Sequence, residues 1–185
     1  MYNATTTIFN KWFNCASAAH NAEFVKQALE YADSHNIEID LNRLDNIGVS
    51  PLVCAKVYGA VEIADLLTER GAKVIVSPQA YEAEVLCELV DDGCSKMLEF
   101  LRNYAKAYGI SINWNATNSE GKSPMMIAAE NNDTEIFAMI EDYLERDSTH
   151  AFATAPTETH VVEFLPAEIA GLADLDNNYS TDWSA

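Results

Sequence analysis

The sequence predicts an all-α chain, a solenoid of about four stacked helix pairs with a C-terminal cap. Three observations carry this. Asn36-Ile37-Glu38-Ile39-Asp40-Leu41-Asn42 returns as Gly109-Ile110-Ser111-Ile112-Asn113-Trp114-Asn115, and Gly48-Val49-Ser50-Pro51 as Gly121-Lys122-Ser123-Pro124, each 73 positions later. Four stretches repeat apolar residues at i, i+3 and i+4 or close by, the spacing of a helix with one buried face. His20, Gly59, Gly93 and Asn132 separate a shorter helix from a longer one, at intervals of 39, 34 and 39 residues.

The elements follow in order. In the first unit Trp12-Phe13-Asn14-Cys15-Ala16-Ser17-Ala18-Ala19 is a short helix that turns at His20 into a second helix carrying Phe24, Val25, Ala28 and Leu29. The second unit begins at Ser50-Pro51. Serine is expected to cap the helix there, and proline occupies a first-turn position where no amide partner is lost. It turns at Gly59, and its second helix (Val61, Ile63, Leu66, Leu67) ends at Gly71. The third unit, Val85-Leu86-Cys87-Glu88-Leu89-Val90-Asp91-Asp92-Gly93, lacks Ser-Pro; Met97, Leu98, Phe100 and Leu101 mark its second helix, which ends at Gly109. The fourth opens at Ser123-Pro124, turns at Asn132 and continues through Ile136, Phe137, Met139 and Ile140. One such pair cannot hide its apolar face alone, so the pairs stack. Units of 39 residues imply second helices about one turn longer. The repeat domain covers residues 1–146, followed by a linker and cap helix over 147–173 and an acidic tail over 174–185 expected to be disordered. The apolar run His160-Val161-Val162-Glu163-Phe164-Leu165 reads as part of the cap, or else as a docking peptide.

Asp45-Asn46-Ile47-Gly48-Val49-Ser50-Pro51-Leu52-Val53-Cys54-Ala55, with Gly59, Val61-Glu62-Ile63, Leu66-Leu67 and Gly71-Ala72, resembles the ankyrin repeat. Asn118-Ser119-Glu120-Gly121-Lys122-Ser123-Pro124-Met125-Met126-Ile127-Ala128-Ala129 resembles it a second time. Val53 and Met126 stand where that family places histidine, and the first and third units are degenerate. The resemblance covers roughly residues 9–146 and implies an ankyrin-repeat solenoid that binds proteins through its concave side.

Charge narrows the partner. Eleven Lys and Arg against 29 Asp and Glu give a net charge of −18. Such a surface repels nucleic-acid phosphates and anionic lipid and favours a basic protein, or else serves only as a solubility device. No apolar stretch approaches the ~20 residues of a membrane helix, and the N-terminus lacks signal-peptide character, so a cytoplasmic location is expected, with delivery into a host cell by another route left open.

The motifs of catalysis are missing: no phosphate-binding glycine loop, no H-E-x-x-H and no G-x-S-x-G. No enzyme activity and no cofactor are expected. Cys15, Cys54, Cys87 and Cys94 form no C-x-x-C pair, and buried free thiols are the reading for Cys54 and Cys87. Asp91-Asp92 reads as hydrated acidic surface before it reads as a metal site.

The concave side implied by the resemblance supplies the partner-binding candidates. They are Asn46, Ile47, Val49, Lys56, Val57 and Tyr58 in the second unit, then Glu84, Glu88, Asp91 and Asp92 in the third. The fourth unit gives Ser119, Glu120, Lys122, Glu130 and Asn131. Ile47, Val49, Val57 and Tyr58 form a candidate apolar anchor beside the acids, or else Ile47 and Val57 pack against the adjacent unit. Trp114 packs near Tyr104 and Tyr108 or serves as an exposed recognition aromatic. Three functions fit: a module for a basic protein partner, an acidic inhibitor that mimics nucleic acid, and a microbial effector acting on a host protein. The oligomeric state is left open.

Overall fold

A computed structural model describes residues 22–147 and 160–162. These residues are mostly helical and divide into two compact bodies. Of the first unit's short helix, the linker, the cap helix over 167–173 and the acidic tail, all lie outside the described residues.

The first body spans 22–43, 50–74 and 162. Helix α1 (Ala22–Ser34) buries Val25, Ala28, Leu29 and Ala32, one helical face, and packs on α3 (Val61–Glu69). Helix α2 (Pro51–Val57) forms a hairpin with α3. Pro51 holds a first-turn position as expected, but Ser50 does not cap α2 through its side chain. Its hydroxyl instead donates to the Lys73 carbonyl over 2.7 Å, while the Lys73 amide donates to Asn42 Oδ1 over 2.8 Å. Arg70 reaches both carboxylate oxygens of Asp33, over 3.2 and 2.8 Å, tying the end of α3 to α1.

The second body spans 44–49, 75–147 and 160–161. It contains a 3-10 turn (Pro78–Tyr81), α4 (Ala83–Asp91), α5 (Ser95–Tyr108), α6 (Pro124–Glu130) and α7 (Thr134–Asp147). α4 packs on α5 and α6, and α6 packs on α7, so the third helix pair lies against the fourth. Here Ser123 does cap, its hydroxyl accepting from the Met126 amide over 3.3 Å. The core centres on Leu86, Met97, Leu98, Leu101, Tyr104, Trp114 and Ile136, each fully buried.

Three of the four turn positions are where the spacing puts them, and His20 lies outside the described residues. Gly59, Gly93 and Asn132 have φ of 73°, 68° and 56°. Gly109 closes α5 in the left-handed region, with the Ile110 amide bonding back to the Ala105 carbonyl over 2.8 Å. α1 and α5, second helices of the 39-residue units, have 13 and 14 residues against 9 in α3.

Two short strands qualify the all-helical expectation. β1 (Val74–Val76) pairs with β2 (His160–Val162), so the run expected in a cap on the last unit has its hydrogen-bonding partner at the start of the third unit. Val76 also makes an antiparallel bridge to Val49, beside a bond from the Ser77 amide to the Gly48 carbonyl of 2.8 Å. Gly48 has φ +84°, and a Cβ there would strike Ser77 Oγ. Ser77-Pro78 opens the 3-10 turn just before α4, so the third unit has its Ser-Pro ahead of the helix and not at its cap.

Candidate functional site

The exposed face of α4 is acidic by helical arithmetic. Glu84, Glu88 and Asp91 stand at i, i+4 and i+7, one above another, about 10 Å from end to end. Opposite them the loop before α6 is braced by its own hydrogen bonds. Asn118 Oδ1 accepts from the Glu120 and Lys122 amides at 3.1 and 2.9 Å, and the Asn118 amide donates to the Lys122 carbonyl at 2.9 Å. Between these walls lies a groove of about 370 Å³, lined by Glu84, Glu88, Asp91, Glu120, Lys122 and Glu130, with Cys87, Asn118 and Ile127 completing it.

Four of the carboxylates have donors from elsewhere in the second body. Ser119 gives Glu84 both its amide (2.9 Å) and its hydroxyl (2.7 Å). Asn131 donates to Asp91 at 2.9 Å and Asn46 to Glu88 at 3.4 Å. These donors are neutral, so they orient the carboxylates and leave the charge in place. Glu130 differs, because Lys122 Nζ stands 2.6 Å from its Oε2. The Ser119 hydroxyl and amide hold the Glu84 carboxyl below its ordinary pKa, which keeps it ionised. The Lys122 ammonium is held above its ordinary pKa by the hydrogen bond and charge of Glu130, with Glu120 and Asp91 adding to it.

Cys87 is buried at the groove wall, its thiol donating to the Lys122 carbonyl at 3.4 Å. Burial pushes the thiol's pKa up, so it stays protonated, the opposite of an activated nucleophile. Among the described residues no group of three or more His, Cys, Asp or Glu is arranged to hold a metal ion. No helix among them is long and apolar enough to cross a membrane.

The structure gathers many of the sequence-predicted residues into this one place. Glu84, Glu88, Asp91, Glu120, Lys122 and Glu130 line the groove, and Asn46, Ser119 and Asn131 bond to its carboxylates. Two candidates require correction. Val49 is 0% exposed, because its bridge to Val76 turns it inward. Trp114 is 1% exposed, with its ring centroid 5.4 Å from that of Tyr143 and not on the surface. The apolar anchor of Ile47, Val49, Val57 and Tyr58 therefore loses a member, and Ile47 in the second body and Lys56, Val57 and Tyr58 in the first are half-buried. Asp92 is exposed at the end of α4 and does not line the groove. Cys87, Asn118 and Ile127 were missed as lining residues; the position of Cys87 one turn after Glu84 was the available signal. Compared with known protein families and with curated proteins, the chain matches none.

Proposed function

We propose that this chain is an ankyrin-like protein-binding module that takes a basic protein partner through the groove between α4 and α6. The carrying observation is the set of five carboxylates around one groove, three of which are oriented by neutral donors from other segments. Oriented, ionised groups lose less freedom when a cation arrives, which favours binding. The net charge of −18 adds long-range attraction and speeds encounter with a positive surface. The ankyrin resemblance supports the same conclusion, since that family binds proteins on the side where these residues fall.

The test combines capture with charge reversal. The full chain is used to capture partners from a lysate, and each captured protein is then titrated in purified form. Glu88→Lys with Asp91→Lys is expected to weaken the specific partner at least tenfold. Glu62→Lys with Glu69→Lys, at exposed positions of the first body, is expected to change it little. Equal loss from both pairs reduces the effect to net charge and overturns the groove as the site. A captured set made up of nucleic-acid-binding proteins, with steep salt dependence, would favour the nucleic-acid mimic instead.

A further inference from the structure

Among the described residues lining the groove, Lys122 is the one cation. Its main chain is fixed independently of its ammonium, by the Asn118 amide, the Asn118 side chain and the Cys87 thiol. The stem therefore starts from a set point and delivers Nζ to Glu130, within the field of Glu120 and Asp91. Glu84, Glu88 and Asp91 receive neutral donors, whereas Glu130 receives a positive charge from the chain itself.

Resting on the proposed function, we infer that Lys122 is a tethered competitor, occupying the place that a cation of the basic partner takes in the complex. Both members of the Lys122–Glu130 pair are partly exposed, at 37% and 55%. Exposed pairs of this kind are weak, and lysine is a point charge on a flexible stem, so the contact is displaceable. A cation arriving at Glu130 exchanges one ion pair for another and gains little there. A segment that presents several Lys or Arg along about 10 Å reaches Glu84, Glu88 and Asp91 as well, and those need no displacement. The lysine thus weakens the hold on such a segment by occupying one of the positions its cations would take.

The probe is fluorescein-labelled hexalysine, titrated by anisotropy against the full chain near 0.1 M salt, where the screening length is about 10 Å. Lys122→Met removes the competitor and keeps its backbone bonds. It is expected to tighten binding about three- to fivefold. Lys106→Met, on α5 away from the groove, loses the same charge and is expected to change affinity by less than about 1.5-fold. Lys122→Arg keeps a competing cation and is expected to stay near wild type. Circular dichroism checks that each variant is folded. If Lys122→Met matches Lys106→Met, or binds more weakly than wild type, the competitor is refuted while the groove stands. If Glu88→Lys with Asp91→Lys leaves hexalysine affinity unchanged, the groove itself is refuted and the competitor falls with it.

Discussion

Replacing Trp114 by alanine separates a recognition aromatic from a core one. The side chain is 1% exposed and heads the largest fully buried side chains. Its ring meets Tyr143 at 5.4 Å between centroids, and Arg102 lies 3.9 Å from the Tyr143 centroid. Truncating a buried tryptophan to alanine costs about 3–5 kcal/mol through lost burial and the cavity left behind. The indole Nε1 has no hydrogen-bond partner among the described residues, and removing such a group returns about 1 kcal/mol, the low end of the cost of an unpaired buried donor. The net loss is then about 2–4 kcal/mol. Trp114→Phe keeps an aromatic contact with Tyr143 and also removes the N–H, so its loss is smaller, below about 1.5 kcal/mol. Urea titrations followed by far-UV circular dichroism measure both. Hexalysine affinity, taken below the unfolding transition, is expected to be unchanged in each. A loss under about 1 kcal/mol for alanine, or intact stability with lost binding, would refute the core assignment.

Three further outcomes follow from the same structure. Leu98→Ala, at a fully buried position of α5, is expected to cost about 2–5 kcal/mol by urea denaturation, and a negligible loss would contradict the packing of α5. Gly48→Ala and Gly59→Ala both place a side chain at positive φ, but only Gly48 also meets Ser77 Oγ; its melting temperature should fall further than that of Gly59→Ala, and equal shifts would deny the close approach. Burial pushes the phenol of Tyr143 up to about 12 and those of Tyr81 and Tyr104 upward as well, while an unfolded tyrosine ionises near ~10. A folded value above the unfolded one stabilises below ~10 and loses that stabilisation as pH rises through the folded value. Phenolate absorbance from these three is therefore expected to appear together with loss of helical circular dichroism above pH ~10, and full ionisation with helicity intact would contradict their burial.

The turns and helix lengths were legible because they are local. A residue that must adopt positive φ between two helices is recognisable as Gly or Asn, and a longer interval between turns lengthens the helix. What was not legible depends on partners far along the chain. Ser50 and Ser123 share the same Ser-Pro motif, yet Ser123 caps its helix and Ser50 bonds to Lys73. The motif fixes the backbone at the helix start; which acceptor the hydroxyl finds is decided by the segment packed beside it. Val74-Ile75-Val76 is too short for any periodicity to declare a strand, and its pairing partner lies far along the chain. Val49 failed as a surface candidate, and of the two readings of Trp114 the exposed one failed, for a related reason: a loop side chain has no period, so its direction comes from the neighbour it meets.

The groove lies between these extremes. Its acidic wall was readable, since Glu84, Glu88 and Asp91 share a face of any helix drawn through them. Its oriented state was not. The donors to Glu88, Glu84 and Asp91 lie 42, 35 and 40 residues away, close to the repeat spacing itself. Each carboxylate is thus held by a residue about one repeat earlier or later, so the orientation exists only where helix pairs lie against one another. Charge and orientation are therefore separable: replacing Asn131 by leucine frees Asp91 without altering net charge, whereas reversing Asp91 removes both. If orientation matters to the partner, the neutral change at Asn131 weakens binding; if charge alone decides, it does not.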